Sequence, residues 1–139
     1  LLDIQKKLQR TMVFITHDFL EAIKMGDHIA IMKDGEISQV GTPEEIVANP
    51  VDQYVKDFCE DVPKYKVLSA GKVMRKECSD ESKNLFLDKT KCIDENAKIE
   101  SLIDQICEDD TAYPIISSNS GELVGEIDRT IVMKSMKSK

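Results

Sequence analysis

Residues 11–16 read Thr-Met-Val-Phe-Ile-Thr, a nearly continuous apolar run with β-branched residues. Such a run suits a strand buried on both faces of a mainly parallel sheet. That constrains the chain more than any other segment, because a strand of this kind needs other strands along its edges. His17 would then emerge at the carboxyl end of the strand, where open α/β sheets place their ligands. Asp18 can cap a following helix, with Glu21 at capping-box spacing, an apolar face of Phe19, Ala22 and Ile23, and a stop at Gly26. Residues 28–33 and 36–40 flank Asp34-Gly35, a pair suited to the positive φ angles of a tight hairpin. Thr42-Pro43-Glu44-Glu45 starts another helix, with Thr as cap and acids near the positive end of the dipole, and Asn49-Pro50 stops it.

The words FITHD and GDHIAIMKDGEISQVGTPEEIVANP, in this order and spacing, resemble the closing part of an ABC-transporter ATPase domain over about residues 1–60. Within that family, IAIMKDGEISQVGTPEEI followed by NPVDQYVKDF is most similar to the importers of glycine betaine, proline, carnitine and choline. The resemblance implies that His17 is the switch histidine, contacting the γ-phosphate and helping to position the attacking water. It also implies ATP and magnesium as cofactors of the full-length protein, transmembrane permease subunits as partners, and a cytoplasmic location at the inner face of the cell membrane. Read from the residues alone, a lone histidine after a strand is a surface or capping residue. No GxxxxGK[ST] phosphate loop occurs in the sequence, and the magnesium-holding acidic run and the signature motif are absent too. Beginning at Leu1 without a methionine, the chain reads as a carboxyl-terminal fragment that should not hydrolyse ATP by itself.

At 139 residues, 41% of them apolar, the chain can hold one ordinary domain or two small pieces. Residues 1–62 carry only a few strands of a larger sheet, so dimerisation, strand exchange or local disorder is expected there. The formal net charge of −7 argues against a nucleic-acid-binding module. It sits mostly in residues 1–62, which hold 6 Lys or Arg against 12 Asp or Glu. No apolar stretch approaches the roughly 18–20 residues of a membrane span. Cys59, Cys78, Cys92 and Cys107 form no CxxC pair, and with only His17 and His28 beside them a metal site is not expected. Reduced thiols are the default.

A boundary falls near residues 62–66. Before it, residues 51–61 can form a helix with Tyr54, Val55 and Phe58 on one face. After it, residues 76–91 are polar and charged apart from Leu85, Phe86 and Leu87, and read as a loop with an apolar anchor. Cys92 and Ile93 predict a short strand. Asp94 or Asn96 can cap a helix whose Ala97, Ile99, Leu102, Ile103 and Ile106 recur at helical spacing. Residues 113–116 and 123–127 predict two strands joined by a turn-rich Ser/Asn/Gly connector, and a last helix begins near Ile131.

This β-α-β-β-α order, with VMRK, CIDENAKIESLID and YPIISSNSGELVGEI, resembles a CBS motif over about residues 67–136. The fold class expected is therefore α/β, a carboxyl-terminal piece of an ABC ATPase domain (1–62) followed by a CBS regulatory domain with one clear repeat (63–139). CBS motifs act in pairs, so the resemblance implies a homodimer, and it brings in an adenine or cyclic dinucleotide as ligand. In nucleotide-binding CBS motifs a Ser or Thr and then an Asp follow the glycine strand; counted from Gly125, those places hold Asp128 and Ile131, with Thr130 one residue out of register. An apolar residue cannot bond ribose hydroxyls, and an acid repels phosphate unless protonated or paired. That weighs against a nucleotide and toward a dimerising or regulatory role.

Asp104, Glu108, Asp109 and Asp110 form an acidic cluster, and Lys134, Lys137 and Lys139 a basic end. Both read as solvated surface, or else the lysines meet anionic lipid or an acidic patch in a salt-dependent way. Two functions from different classes remain: a regulatory fragment of an osmoprotectant importer's ATP-binding subunit, or a non-enzymatic CBS-type sensor or dimerisation module with a remnant ATPase segment.

Overall fold

The computed structural model describes residues 11–89 and 91–137. The chain is mixed α/β with small sheets and divides into two compact units, 1–60 and 61–139. Residues 1–10 of the ATPase-like segment and Lys139 of the basic end lie outside the described residues.

In the first unit, residues 11–16 form no strand, contrary to the sequence expectation. Val13 and Ile15 are 90% and 92% exposed. A strand is held by the ladder hydrogen bonds of its neighbours, and among the described residues none runs beside this segment. Helix α1 (Phe19–Met25) follows. Asp18 caps it, its Oδ1 accepting from the Leu20 and Glu21 amides at 2.9 and 3.2 Å. Glu21 does not close the expected capping box. Its carboxylate accepts from the Thr16 hydroxyl at 2.9 Å, and that hydroxyl accepts from the Asp18 amide at 3.0 Å.

Strands β1 (Ile29–Lys33) and β2 (Glu36–Gly41) form the expected antiparallel hairpin. Asp34 and Gly35 both take positive φ, 52° and 84°, as a two-residue turn of this hand requires. A bulge shifts the register, so that Ile31 faces Gln39 while Met32 faces Ile37. The Gln39 carboxamide reaches the next connection, donating to the Asn49 carbonyl at 3.0 Å and accepting from the Val51 amide at 2.9 Å. Helix α2 (Pro43–Ala48) begins with a complete capping box between Thr42 and Glu45. Helix α3 (Gln53–Phe58) is shorter than the 51–61 reading because Asp52 caps it, accepting from the Val55 amide at 2.8 Å. Ile46 and Val55 are fully buried, and Phe58 meets Phe19 edge-on at 6.0 Å.

The second unit opens with two short helices, α4 (Lys64–Val67) and α5 (Ala70–Val73). The stretch expected to be a loop holds helix α6 (Asp80–Leu87). Its charged composition hid a helical start that is nonetheless conventional: Ser79 caps the Ser82 amide, and Asp80 and Glu81 occupy the first turn. Leu85 and Phe86 of the expected anchor are half-buried, but Leu87 is 74% exposed.

From residue 93 onward the order is β-α-β-β-α: β3 (Ile93–Asp94), α7 (Ile99–Cys107), β4 (Tyr113–Ile116), β5 (Leu123–Ile127) and α8 (Arg129–Met136). Strand β3 pairs in parallel with β4 across the α7 crossover, and β4 pairs antiparallel with β5. Ile93, Leu102, Ile106, Tyr113, Ile115, Ile127 and Val132 share one buried core. Neither expected cap starts α7. Lys98 stands at its N-cap and makes no side-chain capping bond, its Nζ donating instead to the Val67 carbonyl at 2.6 Å, while Asp94 accepts from the Asn96 amide at 2.8 Å and the Ser118 hydroxyl at 2.6 Å, tying the β3–α7 and β4–β5 connections together.

The Ser118 hydroxyl, and then the Asn96 amide, hold the exposed Asp94 carboxyl below its ordinary range. A carboxyl whose pKa is lower in the folded than in the unfolded chain stabilises the fold above its unfolded pKa and loses that stabilisation as pH falls through the folded one. Ser118→Ala is therefore expected to lower Tm at neutral pH, with the gap to the parent closing as the pH falls below the ordinary aspartate range. Melting curves across that range check this; a gap independent of pH contradicts it.

Candidate functional site

His17 lies in an exposed bend between Thr16 and α1. Among the described residues nothing hydrogen-bonds to its imidazole, so the structure presents it to solvent and gives it no orienting partner. These 139 residues supply no Gly-rich phosphate cradle, so they do not by themselves fit ATP or its magnesium, and no step of ATP chemistry can be built from their geometry.

A dense polar constellation lies elsewhere, at the junction of β5 and α8. Residues Met74 and Arg75 cross over Gly125, where an added Cβ would lie 2.6 Å from the Arg75 carbonyl oxygen. Only a glycine admits that approach. The Arg75 amide donates to the Glu126 carbonyl at 2.9 Å and the Glu126 amide donates back at 2.8 Å, an isolated antiparallel bridge on β5. The Arg75 guanidinium then forks. Nη1 donates to Glu126 Oε1 and Nη2 to Asp128 Oδ2, each at 2.8 Å. Ser79 completes the cluster: its amide and hydroxyl both donate to Glu126 Oε2 at 2.7 Å.

Glu126 is 1% exposed, and three side-chain or backbone donors compensate its burial. Asp128 uses its second oxygen to cap α8, accepting from the Ile131 amide at 2.9 Å. Burial, and then the Glu126 carboxylate, push the nearby Cys78 thiol above its ordinary pKa, which disfavours the reactive thiolate.

In the sequence, Asp128 and Ile131 stand at the places of the Ser or Thr and the Asp of a nucleotide cleft; the structure joins them by the α8 capping bond but gives their side chains different surroundings. Asp128 is paired with Arg75, so its charge is compensated. Ile131 lines an open groove of about 380 Å³ together with Leu68, Val73, Met74 and Ser135, whose ionisable lining groups are Lys64, Arg75 and Lys134. Thr130 is exposed at the start of α8 and does not line it. Of the basic end, Lys134 faces this groove and Lys137 is exposed.

In the acidic cluster, Asp109 pairs with Lys91 at 3.4 Å and Asp110 with Arg129 at 3.9 Å, so it is not a bare acidic patch. None of the four cysteines forms a disulfide, and no group of three or more His, Cys, Asp or Glu is gathered to hold a metal among the described residues. Nor is any described helix long and apolar enough to cross a membrane. Sequence reasoning missed Arg75, Ser79 and Glu126 as a unit. The available signal was Glu126, an acid in the otherwise apolar Leu123–Ile127 strand.

No family model matches the chain. Over 126 residues, 91% of the chain, it is 41% identical to the trimethylamine N-oxide transport system ATP-binding protein of Pelagibacter ubique, 35% of which is covered. Over 74 residues, 53% of the chain, it is 54% identical to the glycine betaine/carnitine transport ATP-binding protein of Listeria monocytogenes, 19% of which is covered. Its homologues are betaine, carnitine, choline and trimethylamine N-oxide transport ATP-binding proteins. The glycine betaine transport ATP-binding protein of Bacillus subtilis is 53% identical over 76 residues, 55% of the chain and 18% of that protein. The chain thus spans between about a seventh and a third of the length of these curated relatives.

Removing the guanidinium in Arg75→Met leaves a buried carboxylate short of a cation and is expected to cost about 2–3 kcal/mol, less than for a fully buried pair because the Arg75 side chain is 49% exposed and screened by solvent. Asp128→Asn keeps an acceptor for the α8 cap and should cost less than about 1 kcal/mol. Urea unfolding of the three proteins tests the ranking, and equal losses would contradict it.

Proposed function

We propose that the chain is a segment of the ATP-binding subunit of an ABC importer for quaternary-amine osmoprotectants. The observation that carries the reading is 41% identity over 91% of the chain to a transport system ATP-binding protein. On this reading residues 1–62 close the nucleotide-binding domain and residues 63–139 form a CBS-type regulatory domain. His17 acts as the switch histidine only in the full-length subunit, where a phosphate loop and magnesium supplied by other residues hold ATP. Closure of two subunits on ATP and reopening after hydrolysis drive uptake through permease subunits, which hold this protein at the inner face of the membrane.

For residues 63–139 the reading is a regulatory unit that pairs with a second copy. Ile131 in the groove offers no acceptor for ribose hydroxyls and Asp128 is committed to Arg75, which favours pairing over adenine or cyclic dinucleotide binding. The second reading, a non-enzymatic sensor or dimerisation module, is favoured by one observation: the compact Arg75–Glu126–Ser79 cluster, which needs no ATP chemistry to explain it.

His17→Ala in the full-length subunit should lower ATPase activity by roughly 100-fold or more while leaving ATP binding in place. Unchanged turnover would overturn the assignment. Light scattering on the 139-residue chain should give a dimer, and a monomer at high concentration would overturn the pairing.

A further inference from the structure

The groove beside the β5–α8 junction combines an apolar floor with a cationic rim. Its floor is apolar: Leu68 is buried, and Met74 and Ile131 are half-buried. Every ionisable residue lining it, Lys64, Arg75 and Lys134, is a cation. Among the described residues neither Lys64 nor Lys134 has a carboxylate partner, whereas Arg75 is held by Glu126 and Asp128. A volume of about 380 Å³ suits a small molecule, and such sites pair an apolar body with a few placed polar groups.

We propose that this groove binds a small amphipathic anion, an apolar or aromatic body carrying a phosphate, sulfonate or carboxylate, and that Asp128 competes with the ligand for Arg75. Lys64 and Lys134 supply point charges for the anion, and the apolar floor takes the body. Arg75 has five N–H donors, of which the two named bonds use one on each terminal nitrogen. The side chain remains 49% exposed, so an anion in the groove can reach it.

The two bonds of the guanidinium differ in how easily they yield. Glu126 is 1% exposed and cannot exchange its partner for water cheaply, while the Asp128 side chain is 19% exposed and retains its role as the α8 cap without Arg75. Ligand binding is then an exchange of one anion for another on Nη2, with the Glu126 bond kept. Because Asp128 sits at the start of α8, the exchange reports groove occupancy to the helix that carries Lys134. This extends the regulatory reading of residues 63–139 by naming a ligand class, and rests on that reading only for its consequence in transport. It also differs from nucleoside recognition, because no carboxylate lines the groove to accept ribose hydroxyls.

The test is calorimetric titration of the 139-residue chain with hexyl phosphate, using hexanol, inorganic phosphate and AMP for comparison, at low and high salt. Hexyl phosphate should bind one per chain, with hexanol and phosphate each weaker by about tenfold or more. Asp128→Asn, which keeps the cap, should tighten hexyl phosphate several-fold. Joint substitution Lys64→Gln and Lys134→Gln, both at exposed positions, should weaken it about tenfold and flatten its salt dependence. Melting curves establish that the variants are folded. Hexyl phosphate binding no better than phosphate, or no tightening in folded Asp128→Asn, would overturn the proposal. AMP binding with hexyl phosphate silent would overturn it in favour of nucleotide recognition. Silence of all four probes on a dimeric chain would overturn it and leave the pairing role standing.

Discussion

One buried carboxylate organises the second unit. Glu126 stands in a short strand whose neighbours are apolar, and burying a charge there costs several kcal/mol unless donors surround it. The donors come from a segment some fifty residues earlier in the chain, through Arg75 and Ser79. Satisfying Glu126 therefore draws residues 74–79 against β5, and that placement in turn sets the start of α6 at Ser79 and the crossing over Gly125. The same guanidinium holds Asp128, so the edge of the sheet, α6 and the start of α8 share a single electrostatic centre.

The first unit is organised differently, by local devices. Its hairpin turn, its three capped helices and the Gln39 clamp each involve residues close in sequence. Among its described residues none partners residues 11–16, and the exposure of Val13 and Ile15 is the physical consequence. That exposure agrees with the proposal that residues 1–62 belong to a larger parallel sheet. Both His17 and this segment would then acquire their roles only where other strands and a phosphate cradle are present.

Local chemistry was legible in the sequence and distant chemistry was not. Asp34-Gly35 and Thr42-Pro43-Glu44-Glu45 specify their geometry within a few residues, and the structure places the turn and the capping box there. The apolar spacing of Ile99, Leu102 and Ile106 likewise marked α7, because burial follows helical period directly. The failures share a cause. A strand at 11–16 depends on edges supplied from elsewhere, and α6 is a charged helix whose position depends on Glu126 bonding Ser79. The cap of α7 failed for a related reason, since Asp94 is drawn to Ser118 in a distant loop. Asp128 was noticed for what it would repel, but its pairing with Arg75 needed the fold to appear.

The central claim is that these residues work as part of an osmoprotectant importer's ATP-binding subunit. The most direct measurement replaces the corresponding stretch of a glycine betaine transport ATP-binding protein with residues 11–137 and follows betaine uptake in cells lacking the native subunit. The account predicts uptake by this chimera and its loss when His17 is changed to alanine in the same background. A chimera that assembles with its permease and binds ATP but takes up no betaine, or that transports equally well without His17, would contradict it.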